Sequence, residues 1–186
     1  MKNTDIPAAV HPQWEIVHCK DSAISVSADR ALRRLLSTSF PFNPVFLWRR
    51  HLRERPGHRW LIMDLDGEII AHAALHEKTI SINGQDVRIG GVAEVCVAAR
   101  HRGRGLSKAL LSTVHEWLHL RQIPFAMLFG KPKLYVSSGY AMISNALLTT
   151  NSFLRGGNPF RGKPMIKSIS GERWKTGCVD LRGPTF

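Results

Sequence analysis

The stretch AARHRGRGLSKALL, residues 98–111, changes from an extended to a helical pattern within a few positions. Residues 92–98 have the apolar character of a strand. Apolar side chains then recur at helical spacing over residues 106–121, which predicts an amphipathic α-helix. A short turn with two glycines and three arginines separates the two elements. A strand, a glycine-rich turn and a helix therefore follow one another directly in this stretch.

The turn has the composition of a phosphate-binding site. Free amides at a helix N-terminus bind anions, and the helix dipole supports them. Gly103 and Gly105 let the backbone approach a phosphate closely, while Arg100, Arg102 and Arg104 add positive charge. The P-loop needs a Lys-Ser/Thr pair, and the dinucleotide fingerprint needs a parallel βαβ unit; neither pattern is present. The turn therefore predicts a site for a di- or polyphosphate of another kind.

The rest of the chain predicts an α+β fold with a mostly antiparallel sheet. Asp66-Gly67 and Asn83-Gly84 are hairpin signals, and Gly90-Gly91 interrupts a long strand pattern, as a bulge or a close backbone approach would. We predict helices at residues 23–38, 45–55, 106–121 and 133–138, strands at residues 14–19, 60–64, 68–76, 79–82, 87–98, 125–129, 140–149 and 174–181, and a loop at residues 155–164.

Composition limits the classes of protein to consider. The chain has 186 residues, an apolar share of 44% and a formal net charge of +12, which predicts a globular domain with anionic partners. No apolar window is long enough for a membrane helix, and the first residues lack the apolar core of a secretory signal. Three cysteines without metal-ligand spacing are expected to be reduced thiols. We therefore expect a cytoplasmic protein with no membrane partner.

Two motifs together resemble the GNAT superfamily of N-acetyltransferases. Arg100, Gly103 and Gly105 stand in the fixed places of the family's [Q/R]xxGx[G/A] signature, and Ser107 matches the small residue that follows it. The run LYVSSGY, residues 134–140, matches the family's second landmark at the right distance. The resemblance covers about residues 58–145 of a single predicted domain, 1–186. It implies a mixed, mostly antiparallel sheet that is splayed at a central strand and flanked by helices.

The resemblance also implies a reaction and the residues that would perform it. Acetyl-CoA would be the cosubstrate, and a neutral amine would attack its thioester directly. Tyr135 would protonate the leaving thiolate, and Glu94, the only acid in an otherwise apolar strand, is the candidate base. Two backbone segments would hold the coenzyme. The amides of Arg102, Gly103, Arg104, Gly105, Leu106 and Ser107 would hold its pyrophosphate, and the strand residues Val95, Cys96 and Val97 would pair with its pantetheine arm.

Each site residue also has a structural interpretation. Tyr135 could be a packing tyrosine, and Glu94 could form a buried salt bridge to Arg88 or Arg100. Cys96 is better explained as a thiol of the core than as a nucleophile, since a nucleophilic cysteine would need a histidine or a positive end nearby. His72 and His76 share one strand face and could line a substrate pocket. The basic helix predicted at residues 49–55 is most simply a solvated face, and contacts to coenzyme phosphates or to an acidic partner are the second interpretation.

The acceptor is less well specified than the donor. We expect the primary amine of a small molecule, and the layout is similar to that of aminoglycoside 2'-N-acetyltransferases and, more weakly, to that of nodulation N-acyltransferases. A chain at +12 would repel a polycation, however, and it lacks the acidic C-terminal segment of the aminoglycoside enzymes. The alternatives are an acyl donor on an acidic acyl carrier protein and a non-catalytic module that binds CoA or nucleic acid, although we do not expect nucleic acid as the partner. The oligomeric state stays open, a homodimer included.

A second motif indicates a different function. The segment HEWLH at residues 115–119 matches the HExxH pattern of zinc hydrolases. On a helical wheel, His115 and His119 lie opposite the apolar stripe, beside Lys108, and should face solvent. A catalytic zinc site needs a cleft and a third ligand, and no second motif supplies one. We therefore predict no metal site.

Overall fold

The computed structural model describes residues 14–143, 147–149, 164–175, 177–183 and 185–186. Its helices are α1 (Val26–Ser39), α2 (Leu106–Leu120) and the short α3 (Pro132–Tyr135). Single 3-10 turns occupy Asp21–Ala23, Pro44–Leu47, Ala99–His101 and Val136–Ser138. No helix of the described residues combines the length and the apolar character that crossing a membrane would require.

Within the described ranges, nine strands form one sheet, and they confirm the α+β prediction. They are β1 (Trp14–Lys20), β2 (His58–Asp64), β3 (Ile69–Ile82), β4 (Gln85–Val97), β5 (Phe125–Phe129), β6 (Ala141–Met142), β7 (Leu147–Thr149), β8 (Pro164–Ser168) and β9 (Cys178–Asp180). The main order is β1-β2-β3-β4-β5-β8-β6, and β9 pairs with β3 and β7. The β4–β5 and β7–β9 pairs are parallel, and the other pairs are antiparallel. The sheet is thus mixed and mostly antiparallel, as expected.

Helices α1 and α2 cover opposite faces of the sheet. In β2, Ile62 belongs to the core under α2, together with Leu110 and Val114, whereas its neighbour Leu61 belongs to the core under α1, together with Leu36. Successive strand residues point to opposite faces, so these two cores lie on opposite sides. The buried stripe on α2 agrees with the helical periodicity of the sequence.

A β-bulge interrupts β4 where the sheet opens. Ala93 pairs with Ala74 and Cys96 pairs with His72, so two residues of β4 stand opposite one residue of β3. Glu94 lies in the bulge with a φ of 53°, a left-handed value that is uncommon for a residue with a side chain. The parallel pairing of β4 with β5 ends just before the bulge, at Val92 and Leu128. The two strands separate beyond this point, and this separation is the predicted splay.

Several local predictions need correction. The predicted helix at residues 45–55 is wrong, because only the 3-10 turn Pro44–Leu47 forms there. The predicted strands at 68–76 and 79–82 are one continuous strand, β3. Gly90 and Gly91 mark a close approach rather than a bulge, since a Cβ at Gly90 would lie 2.5 Å from a methyl group of Leu118. The predicted loop at 155–164 falls almost entirely outside the described residues, as does the middle of the predicted strand at 140–149.

Candidate active site

The glycine-rich turn lies between β4 and α2 and is exposed. Gly103 and Gly105 have φ values of 79° and 77°, in the left-handed region that favours glycine. A Cβ at either position would meet nothing within 4 Å, so the space beside the turn is open. Gly105 is the N-cap of α2, and no side chain caps the helix there. The first amides of α2 are therefore left for an anion.

The three arginines around the turn are not equivalent. Arg100 pairs with Glu68 and lies 4.0 Å from Asp64, so its charge is largely neutralised. Arg102 donates from Nε to the carbonyl oxygen of Val97 at 3.2 Å and keeps its charge at the turn. Arg104 is exposed and forms no ion pair with a described residue. Arg102 and Arg104 are therefore the cations that remain for a ligand.

A cavity of about 240 Å³ occupies the opening between β4 and β5. Glu94 and Val95 of β4 line one side, and Leu128 and Phe129 of β5 line the other. Tyr135 at the end of α3 closes part of the wall. The structure therefore brings three of the predicted site residues, Glu94, Val95 and Tyr135, to one cavity.

Tyr135 is held in this wall by packing. Its ring lies against Gly130, where an added Cβ would come 2.5 Å from Cε2, so only glycine leaves room for the ring. The ring also meets Tyr140 edge to face, with centroids 6.1 Å apart. Burial raises the pKa of Tyr135 above its usual range. Its hydroxyl therefore keeps its proton at neutral pH and is able to donate it.

Glu94 has both carboxylate oxygens engaged on the protein side. Oε1 accepts from the backbone N–H of Leu52 at 2.8 Å, and Oε2 accepts from Nη1 of Arg59 at 3.2 Å. Burial raises the pKa of Glu94, although Arg59 and the Leu52 amide oppose this shift. The expected salt bridge exists, but the partners predicted for it, Arg88 and Arg100, are wrong. Those two arginines pair with Glu77 and Glu68 instead.

Arg59 is the centre of a buried polar cluster that sequence reasoning missed. Its side chain is 0% exposed, and it donates from Nε to Asp21 at 2.5 Å and from Nη2 to the carbonyl oxygen of Arg50 at 2.8 Å. Asp21 is nearer to Arg59 than Glu94 is, and it also accepts two hydrogen bonds from Arg50. Two carboxylates therefore share one buried guanidinium, and Glu94 has the weaker contact.

His72 supports the same cluster and does not line a pocket. It is fully buried, and its Nε2 lies 2.9 Å from Nη1 of Arg59. Because a guanidinium can only donate, Nε2 must accept, and Nδ1–H then donates to the carbonyl oxygen of Glu94 at 3.0 Å. Burial lowers the pKa of His72 well below its ordinary value, which agrees with this neutral tautomer. The imidazole of His72 on β3 is thus hydrogen-bonded to the backbone of the bulge in β4.

A signal for Arg59 was present in the sequence. Arg59 and Leu61 share one face of β2 because they are two positions apart, and that face is buried under α1. A charged residue on an apolar face requires a buried partner of opposite charge. Glu94 shows the complementary pattern in β4. Pairing these two isolated charges would have predicted the contact.

Cys96 belongs to β4, the strand predicted to pair with the coenzyme, but its thiol points away from the predicted coenzyme site into the core under α1. Its side chain packs under α1, and burial raises the pKa of the thiol to about 12. The thiol is therefore protonated and unreactive at neutral pH, as expected for a core cysteine. Val95 lines the cavity, and both Val95 and Val97 pack at the margin of the core under α2.

The HEWLH segment lies on α2, and its first histidine, His115, contacts a tyrosine. Nε2 of His115 lies 2.9 Å from the hydroxyl of Tyr140, and burial lowers the pKa of His115 to about 4. The prediction that His115 faces solvent is therefore wrong, while His119 is exposed as predicted. Within the described ranges, no group of three His, Cys, Asp or Glu residues is placed to hold a metal ion.

A curated protein of Escherichia coli is similar in sequence to part of this chain. L-amino acid N-acetyltransferase AaaT of Escherichia coli (strain K12) is 28% identical over 103 residues, which cover 50% of this chain and 60% of that protein. The chain therefore spans only 60% of the length of this curated relative.

The fold resembles that of solved protein structures. YhbS of Escherichia coli, a GNAT family N-acetyltransferase in complex with CoA, superposes with a TM-score of 0.66 at 19% identity and covers 92% of both chains. Escherichia coli ElaA superposes with a TM-score of 0.59 at 18% identity, over 83% of this chain and 99% of its own. Residues 27–143 match the family model described as an acetyltransferase (GNAT) domain. This match covers well over half of the chain, and the protein belongs to the GNAT family of acetyltransferases.

Proposed function

We propose that this protein transfers an acetyl group from acetyl-CoA to the primary amine of a small molecule by direct attack. The observation that carries the proposal is that Glu94 and Tyr135, an acid with a buried side chain and a half-buried phenol, line one cavity at the splay between β4 and β5. The exposed glycine turn follows the same strand, β4. An acid, a proton donor and an anion site thus lie along the path that a coenzyme would follow.

The reaction needs one base and one acid. The nitrogen of a neutral amine attacks the thioester carbonyl carbon, the carbon–sulfur bond breaks, and the amide product forms. Glu94 takes the proton lost by the amine, through a bridging water, and Tyr135 gives its proton to the coenzyme thiolate. The cavity walls hold the two reactants close together, which supplies much of the rate enhancement.

The donor would be bound chiefly through the backbone. The amides of residues 102–107 would accept the pyrophosphate, and Val95, Cys96 and Val97 would pair with the pantetheine arm. The end of parallel pairing at Val92 supports this placement, because β4 is free of β5 beyond that residue. YhbS, whose fold is similar, is known in complex with CoA.

Arg59 would act as a positioning residue. It holds Oε2 of Glu94 and is itself fixed by Asp21, so the carboxylate keeps one orientation toward the cavity. Each carboxylate oxygen has a second lone pair, so the contacts with Arg59 and Leu52 leave acceptor capacity for a water or an ammonium group.

The direct test is an assay of both products. The protein is incubated with acetyl-CoA and a panel of small amines, including the L-amino acids that name the curated relative. Thiol release and the mass of the amine are measured together. We expect one acetylated amine per CoA released. Thiol release without an acetylated amine would indicate a thioesterase and would overturn the proposal.

The same assay separates the two donors. Acetyl-pantetheine and an acetylated acyl carrier protein both lack the adenosine nucleotide that the turn would bind. We expect the highest kcat/KM with acetyl-CoA. A higher kcat/KM with the acyl carrier protein would support the alternative of a carrier-dependent acyltransferase, which the charge of +12 would favour.

A further inference from the structure

The walls of the cavity carry charge at only two points. Among the described lining residues, the charged side chains are Glu94 and Arg53, and most of the others are apolar. Arg53 follows directly after Leu52, whose amide is fixed 2.8 Å from Oε1 of Glu94. The cation and the anion therefore line the same cavity, and the segment that carries Arg53 is bound to Glu94 through the Leu52 amide.

Arg53 is available for a ligand. It forms no ion pair with any described residue, and its side chain is exposed at the cavity. The nearby Arg50 differs, because Asp21 and Asp29 occupy its guanidinium. An arginine presents a planar fork of donors that matches a carboxylate in a bidentate manner.

Two pairs of phenylalanines form the apolar walls. The rings of Phe40 and Phe46 are 5.6 Å apart, and those of Phe129 and Phe186 are 5.2 Å apart. All four residues line the cavity. The volume of about 240 Å³ corresponds to about eight waters in the liquid, and the thioester must share it. Such a space suits a small ligand with one apolar group.

We infer that the acceptor is an amino acid with an apolar side chain, whose amine faces Glu94 and whose carboxylate binds Arg53. Its side chain lies between the two phenylalanine pairs. This inference rests on the proposed function for the role of Glu94, but the binding of the carboxylate does not depend on catalysis. A polycation is excluded because the cavity offers one acid and an opposing arginine.

A binding experiment tests the inference without any transfer. Protein saturated with CoA is titrated calorimetrically with L-phenylalanine, L-phenylalaninamide and 2-phenylethylamine, three ligands that share ring and amine but differ in the carboxylate. We expect L-phenylalanine to bind at least about tenfold more tightly than the other two, as one charge-assisted hydrogen bond would provide. Arg53→Gln should remove this difference. Arg30→Gln, an exposed arginine on α1 away from the cavity, should retain it.

Several results would overturn the inference. They are tighter binding of the amide or the amine, tighter binding of an aminoglycoside, no binding of any of these ligands, and an unchanged preference in Arg53→Gln. The comparison of ligands on the natural protein needs no variant, so a misfolded Arg53→Gln would not prevent the test. If the protein prefers L-phenylalanine but transfers no acetyl group, the proposed function is wrong and the binding inference stands. If it transfers acetyl groups without preferring the carboxylate, the binding inference is wrong and the proposed function stands.

Discussion

Tyr135 is the residue on which the proposed proton transfer to sulfur depends. Tyr135→Phe removes the hydroxyl and leaves the ring packed on Gly130. We expect kcat to fall by roughly 10²- to 10⁴-fold, the range for loss of a general acid, while the Kd for acetyl-CoA stays the same. Steady-state kinetics and calorimetric titration of the coenzyme measure the two quantities.

The second tyrosine of the chain is a matched control. Tyr140 is buried, its hydroxyl bonds to His115, and it does not line the cavity. Tyr140→Phe should lower stability by about 1 kcal/mol, through loss of a hydrogen bond, and should leave kcat unchanged. If Tyr135→Phe also kept its kcat, Tyr135 would not be the acid.

Glu94 should be visible in the pH dependence of the rate. Burial raises its pKa, and a base works only when it is deprotonated. The kcat/KM of the natural protein should therefore rise with pH through an acidic limb whose pKa lies above the ordinary value for glutamate. Glu94→Gln should lower the rate and remove that limb. The control is Glu116→Gln, which changes the exposed acid of HEWLH. An acidic limb that survives in Glu94→Gln would assign it to another group.

At the scale of elements, Asp21 joins three segments of chain through Arg59 and Arg50. Asp21→Asn leaves the buried guanidinium of Arg59 without its nearest counter-charge. We expect a loss of about 3–5 kcal/mol in the free energy of unfolding, measured by urea denaturation at neutral pH. The matched control, Asp66→Asn at the exposed hairpin tip, should be close to neutral.

The same variant has a pH signature. Burial would raise the pKa of Asp21, but hydrogen bonds from Arg50 and Arg59 prevail and lower it. The pKa of Asp21 is lower in the folded protein than in the unfolded chain, where it is about 3.8, so its carboxylate stabilises the fold at pH values above 3.8. This contribution is lost as the pH falls through the pKa of Asp21 in the folded protein. The difference between natural protein and Asp21→Asn should therefore shrink on acidification below that value. A constant difference across this pH range would show that the charge of Asp21 does not stabilise the fold.

The sequence predicted features that depend on neighbouring residues better than features that depend on contacts between distant residues. The turn at Gly103 and Gly105 and the helix after it were predictable, because dihedral preference and periodicity are local. The segment at residues 45–55 was not, since Arg50 is drawn to Asp21 and the Leu52 amide to Glu94, both distant in sequence. Such contacts override a helical pattern of apolar residues. The cavity between β4 and β5 was missed for the same reason, because its walls come from segments that meet only in the folded sheet.

At the scale of the whole molecule, the charge of +12 acts on every anion, so affinity alone does not identify a ligand. Raising salt from about 0.1 M to 1 M shortens the screening length from about 10 Å to 3 Å. We expect binding of heparin, and of ATP to a smaller degree, to weaken strongly over this range. Acetyl-CoA should weaken less, because hydrogen bonds to the turn are screened little. Equal salt dependence of all three ligands would indicate attraction by charge alone.

The most direct test of the coenzyme site is calorimetric titration of acetyl-CoA into the natural protein, Gly103→Val and Gly84→Val at moderate salt. Gly84 has a φ of 82° and open surroundings like those of Gly103, but it lies in the β3–β4 hairpin, so both variants carry the same kind of backbone strain. We predict saturable binding of acetyl-CoA that is tighter than that of ATP or heparin, a loss of more than about tenfold in Gly103→Val, and no loss in Gly84→Val. Equal affinity in the two variants, or acetyl-CoA binding no tighter than that of the other polyanions, would contradict the coenzyme site at the glycine turn.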